Sequence, residues 1–246
     1  MKRTISALSL VGSFALWVGC GAGPDGTGML ANGGSGGAGG TALPSGACTA
    51  STSEHAPADG LIADFVGTDG AGVQIGGGIL TYGAAKVGGP GSPTFTTTGG
   101  TLNITESTAE TSTPQYVGVI VYFDDCIDAR AFTGVRFNLS GSFSGCTMQY
   151  GTGDVEHQDK TVDPTFATGP VGAYQPLESI ADGELTSAPK TFFEPFTGDA
   201  SPGNPSTPLD TTKLIFALWQ FTIPAAAAGA PKCTASITVG DVEFYH

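Results

Sequence analysis

The chain has 246 residues, 39 of them Gly and 16 Pro, and carries 9 Lys plus Arg against 22 Asp plus Glu, a formal net charge of −13. That length suits one all-β domain of ordinary size with a real core. The acidic balance repels phosphate backbones and anionic headgroups, which argues against nucleic acid or an acidic lipid surface as a partner.

Residues 1–19 read as a signal peptide. Lys2 and Arg3 precede an apolar run from Ile5 to Val18, too short for a comfortable membrane span and of the length of a signal-peptide core. The run ends Leu16-Trp17-Val18-Gly19-Cys20. This resembles a bacterial lipobox, in which small residues adjoin the cleavage point and the thiol, here Cys20, takes a diacylglycerol; Trp17 stands where Leu is usual. The competing reading is an ordinary cleaved signal with a Cys nearby. Residues 20–50 read as a Gly-rich tether, its centre holding Gly33, Gly34, Gly36, Gly37, Gly39 and Gly40. With almost no large side chains to pack, such a segment cannot repay its ordering entropy, and the about 25 residues from Gly21 to Ser45 have a root-mean-square reach of roughly 25–30 Å. No strand precedes these glycines and no helix follows, so they do not read as a phosphate loop. The expected location is the bacterial cell envelope, at the outer membrane or cell surface, with the lipid as the membrane contact.

Residues 51–246 read as one domain. Short segments rich in Val, Ile, Thr, Phe and Tyr, separated by Gly, Pro, Asp, Ser and Thr, predict strands at 60–66, 79–82, 102–106, 116–123, 134–140, 146–151, 191–195, 213–223 and 234–245. A helical turn is conceivable only around residues 225–228. The fold class expected is all-β, an antiparallel β-sandwich or jelly roll. Residues 152–189 carry too little apolar pattern to place.

Alternation assigns faces. Val117, Val119, Val121 and Phe123 point to the core, as do Val135, Phe137 and Leu139, and then Ile215, Ala217, Trp219, Phe221 and Ile223. An outward face is expected to collect Tyr122, Arg136, Asn138, Gln149 and Gln220. Aromatic rings beside amide and guanidinium groups suit a sugar, whose CH face stacks while its hydroxyls need donors and acceptors; a solvated sheet face with structural Tyr residues is the plainer reading.

With Cys20 lipidated, Cys48, Cys126, Cys146 and Cys233 remain, and three pairings exist. Cys126 and Cys146 flank one strand and its loops, which suggests a bridge between them, and Cys48 would then meet Cys233. Zinc is the competing use of the thiols, but no two Cys are close and His55, His157 and His246 are isolated.

Several segments occur in an order that resembles the galactose-binding-like jelly-roll domains of exported bacterial proteins, akin to the carbohydrate-binding modules attached to endoglucanases. They are Ile62-Ala63-Asp64-Phe65, Gly118 to Phe123, Cys126-Ile127-Asp128-Ala129, Phe132 to Phe137, Leu218-Trp219-Gln220-Phe221 and Gly240 to Phe244. The resemblance implies a sandwich whose first and last strands pair, a concave face that binds glycan chains, and a structural calcium in some relatives. Asp64 and Asp241 are the candidate calcium ligands. Val66 and Gly240 stand where relatives carry acidic residues, and two carboxylates are few for an ion that takes six to eight oxygens.

Catalysis is not expected. Glycoside hydrolysis needs two carboxyl groups placed across the bond, and Asp124, Asp125 and Asp128 cluster in what reads as one loop after a strand. No Ser motif of the nucleophile-elbow type is present. The function expected is non-catalytic polysaccharide binding by a lipoprotein; the alternative is a structural or adhesive envelope protein with a protein partner.

Overall fold

The computed structural model describes residues 53–66, 72–75, 77–83, 86–87, 91–108, 113–155, 177–181, 183–197, 209–225 and 232–246. Among these are thirteen strands and no helix. Sheet I holds β1 (Glu54–His55), β3 (Gly78–Gly83), β4 (Lys86–Val87), β7 (Gln115–Asp128), β9 (Thr147–Asp154), β10 (Leu177–Ile180) and β12 (Leu214–Ile223). Its order is β10-β9-β12-β7-β3-β4, with β1 against β7. Sheet II holds β2 (Leu61–Ala63), β5 (Thr94–Thr97), β6 (Leu102–Thr108), β8 (Gly134–Ser144), β11 (Lys190–Pro195) and β13 (Cys233–Tyr245). Its order is β11-β8-β13-β6-β5, with β2 against β13. Strand pairing is antiparallel except for β1 with β7. The architecture is the expected antiparallel sandwich of jelly-roll type, and each of the nine expected strands is present. β2, the first of the strands expected from sequence, pairs with the last strand, β13, where Ala63 faces Val242.

The β-branched and aromatic runs form strands because each fits one buried face of a pleated ribbon. Val117, Val119, Val121 and Phe123 of β7, Val135, Phe137 and Leu139 of β8, and Ala217, Trp219, Phe221 and Ile223 of β12 all enter the core between the sheets. Three rings lock the two layers together. Phe137 of sheet II lies 4.6 Å from Tyr150 and 5.5 Å, edge-on, from Trp219 of sheet I. Truncating a buried aromatic of this kind costs about 3–5 kcal/mol.

One phase assignment is corrected. Leu214 joins the core and Ile215 points to the outer side of sheet I. The ladder shifts register between Leu214 and Phe216, and a bulge adds one residue to the strand and inverts the alternation before it.

The cysteine pairing is corrected as well. Cys146 is bonded to Cys233, with Cα atoms 5.1 Å apart. Cys126 lies near the end of β7 and Cys146 just past the far end of β8, whose 11 residues extend roughly 36 Å at about 3.3 Å each. A disulfide needs Cα atoms within about 7 Å. Cys126 is itself disulfide-bonded; the cysteines left for it are Cys20 and Cys48, which lie outside the described residues, as do the signal peptide and the tether.

Candidate functional site

The two sheets divide the five expected sugar-contacting residues between opposite faces. Tyr122 (β7), Gln149 (β9) and Gln220 (β12) belong to sheet I, and Arg136 and Asn138 (β8) to sheet II. They do not line one groove, because the core separates them. Alternation identifies the outward side of each strand and says nothing of which sheet the strand joins.

On the outer side of sheet I the register sorts residues into rows. At one end Phe216 faces Tyr122 and Gly153, and Tyr122 faces Gly78. The rings lie across the glycines: a Cβ on Gly153 would stand 2.1 Å from the Phe216 ring, and one on Gly78 would stand 2.9 Å from the Tyr122 hydroxyl. Leu218, Ile120, Ile215, Val155, Cys126 and Tyr82 join them in one buried apolar cluster. Tyr122 is only 3% exposed. It is a packing residue and cannot offer a stacking face to a sugar in this arrangement.

The other end of the same face is polar. Gln220 faces Gln149 on one side and Gly118 on the other, Gly118 faces Tyr82, and Gln149 faces Ser179. The Tyr82 hydroxyl donates to Gln220 Oε1 at 3.0 Å. Burial pushes the Tyr82 phenol far above its usual range, so it remains a donor at any physiological pH. In the next row Thr222 lies between Tyr116 and Thr147, and the Thr222 hydroxyl donates to Gln149 Oε1 at 3.4 Å. Gln220 is buried, whereas Gln149, Thr222 and Tyr116 are half-buried and Thr147 and Ser179 are exposed. This uncharged strip brings amides, hydroxyls and a partly open phenol ring together. Of the expected residues it includes Gln149 and Gln220; Tyr116, Thr222 and Tyr82 were not singled out from sequence. Tyr116 shares its alternation with Tyr122, and its position at the start of the strand was the available signal.

On the outer side of sheet II, Arg136 Nε donates to Glu243 Oε2 at 2.6 Å, and the Thr191 hydroxyl donates to Asn138 Oδ1 at 2.7 Å. Beyond them run rows of small uncharged polar residues, Ser140–Thr238–Asn103–Thr96 and Ser142–Ser236–Thr105–Thr94.

The remaining candidates have other roles. Asp64 follows Ala63 and Asp241 precedes Val242 in the antiparallel Ala63–Val242 pair, so their backbones occupy neighbouring register positions. Asp64 Oδ1 accepts from the Val66 N–H at 2.9 Å and its Oδ2 from Gln74 Nε2 at 2.9 Å. No group of three or more His, Cys, Asp or Glu suited to a metal ion occurs among the described residues. Asp128 is bonded by Arg130 Nε and Nη2 at 2.9 and 2.6 Å, and the Arg130 side chain is the main cause that holds its carboxyl below the usual range. At the sandwich edge Tyr150, Thr152, Glu178, Glu194 and Leu209 line a shallow cleft with about 10 Å³ of room, about enough for one water.

No family model matches this chain, and no curated protein matches it. Among solved structures, it is similar to the family 11 carbohydrate-binding module of the Clostridium thermocellum cellulosomal cellulase Lic26A-Cel5E, at 15% identity and a TM-score of 0.43 over 75% of this chain and 92% of that one. A second structure, the family 11 module from the same organism in complex with a β-1,3-1,4-mixed-linked tetrasaccharide, gives 16% and 0.44 over 75% and 94%. The N-terminal cellulose-binding domain of Cellulomonas fimi β-1,4-glucanase C gives 17% and 0.29 over 69% and 90%. The likeness is distant, and the two-sheet architecture stands on the strand pairings themselves.

Proposed function

We propose that the domain is a non-catalytic glycan-binding module of a bacterial envelope lipoprotein, and that a sugar chain lies on the polar end of the outer face of sheet I. The observation that carries this reading is the cluster of Gln149, Thr222 and Thr147 beside the half-buried Tyr116, with Thr222 hydrogen-bonded to Gln149 and Tyr82 to the neighbouring Gln220. The half-buried Gln149 and Thr222 and the exposed Thr147 and Ser179 supply both donors and acceptors without charge, which is what a neutral sugar's hydroxyls require, while the buried Tyr82 and Gln220 fix the strip from beneath. Tyr116 supplies the apolar ring face against which sugar CH groups stack. The sequence resemblance to jelly-roll carbohydrate-binding modules points the same way.

The test is a glycan array and polysaccharide pull-down with the intact protein, with hydrolysis products measured alongside. Binding without product is expected. Tyr116→Ala and Gln149→Ala should each weaken it about tenfold, the equivalent of about 1.4 kcal/mol. Unchanged binding in both variants would remove the site, and release of product would make the protein an enzyme.

A further inference from the structure

We propose that the outer face of sheet II is a second glycan-contact surface, on which a neutral hexopyranose chain stacks against Phe193. The inference takes its ligand class from the glycan-binding reading and is independent of the sheet I site.

Phe193 is 57% exposed, and among the described residues Val66, at 64%, is the other exposed large apolar side chain. An exposed apolar residue alone means little, but Phe193 is held in place. Its neighbour Phe192 enters the core and stacks on Phe137 at 5.7 Å. The Phe193 ring itself meets Tyr245 edge-on at 5.4 Å and 88°. Tyr245 in turn lies over Gly134, where a Cβ would stand 2.8 Å from the Tyr245 ring. The aromatic corner is therefore braced by the sheet, and more than half of Phe193 stays open to solvent.

Directed polar groups adjoin it. Phe193, Arg136 and Glu243 occupy one register row across β11, β8 and β13, and Thr191 and Asn138 form the next row. A pyranose seated on Phe193 would meet guanidinium donors, carboxylate acceptors and an amide at its rim, the division of apolar face and polar edge that a sugar presents. Charge selects among sugars. The chain as a whole carries −13, yet here Arg136 is neutralised by Glu243, and the rows beyond are Ser, Thr and Asn. Among the described residues of this face, Arg136 and Lys190 are both paired with carboxylates, so an acidic glycan gains no free cation there and would be repelled by the chain's net charge. A neutral glycan meets neither obstacle.

The experiment compares retention of the intact protein on microcrystalline cellulose, insoluble chitin and agarose for wild type, Phe193→Ala, Phe193→Trp and Tyr116→Ala. Each protein is checked by thermal melting. On any matrix that retains wild type, Phe193→Ala should lower retention about tenfold with an unchanged melt, and Phe193→Trp should retain at least as well as wild type. If Phe193→Ala binds like wild type while Tyr116→Ala loses binding, the second surface is overturned and the sheet I reading stands. If Phe193→Ala loses binding and Tyr116→Ala does not, the second surface stands without the first. Retention on none of the three matrices overturns both. A wild-type dimer in light scattering that Phe193→Ala dissolves would assign the face to self-association and overturn the inference.

Discussion

Glu106 occupies a core-facing position of β6, 2% exposed, and its Oε2 has no hydrogen-bond partner. Desolvation is the main influence on its carboxyl and pushes it above the usual range, against hydrogen bonds from Thr108 and Ser107 that pull the other way. A folded-state pKa above the unfolded value of about 4.3 means that the contribution to stability is fully present below the unfolded pKa and is lost as pH rises through the folded one. Asp128 runs the other way: Arg130 lowers its pKa, so its contribution is present above the unfolded value of about 3.9 and lost as pH falls. Glu106→Gln should therefore melt higher than wild type at pH 7, with the gap closing towards pH 4. Each kcal/mol recovered moves the midpoint about 2–4 °C in a chain of this size. A gap that widens in acid would refute the assignment. Trp219 and Tyr122 show what alternation conveys at this scale. Their opposite faces were legible, because Trp219 is in the core between the sheets and Tyr122 is outside it. The burial of Tyr122 was not, because exposure depends on what lies over a face and not on the direction of the side chain.

Strand length decides the cysteine pattern. A single intervening strand looked like a short loop to be closed by a bridge between Cys126 and Cys146, but an extended strand holds its ends far apart. Cys146 lies instead beside Cys233, where β8 and β13 pair antiparallel and Thr234 faces Ser144. The bond spans 87 residues of chain, and disulfides closing long loops contribute about 2–4 kcal/mol. Peptide mapping without reduction should recover Cys146 linked to Cys233, with Cys126 linked to Cys48. The double variant Cys146→Ser/Cys233→Ser should unfold at lower urea with a loss in that range. A Cys126–Cys146 peptide would refute the arrangement. Strand existence was legible from β-branched and aromatic runs, whereas β1, β4, β5 and β10 were not foreseen; β1 and β4 have only two residues and β5 and β10 four, too few for a period to show. The bulge before Phe216 escaped for a related reason, since both Leu214 and Ile215 are apolar and either phase fits the sequence.

At the scale of the molecule, composition and the order of motifs conveyed the sandwich, but the assignment of strands to sheets depends on long-range pairing that no local pattern carries. That is why Arg136 and Asn138 separated from Gln149 and Gln220. The lipid anchor belongs to this scale too: Cys20→Ser should release the protein from membranes, and unchanged membrane fractionation would remove the lipoprotein reading. The ends of the described domain meet at one corner. Glu54 pairs with Ile127 and Ala56 N–H donates to Asp128 O, while His246 Nδ1 lies 3.0 Å from Ala131 O and the Thr133 N–H donates to Tyr245 O. Entry and exit thus sit beside Asp128 and Ala131, three positions apart where β7 runs into the connection to β8. A domain whose ends adjoin can be spliced as a cassette into a surface loop of an unrelated host, or its ends can be joined and new ones cut elsewhere, without rebuilding either sheet.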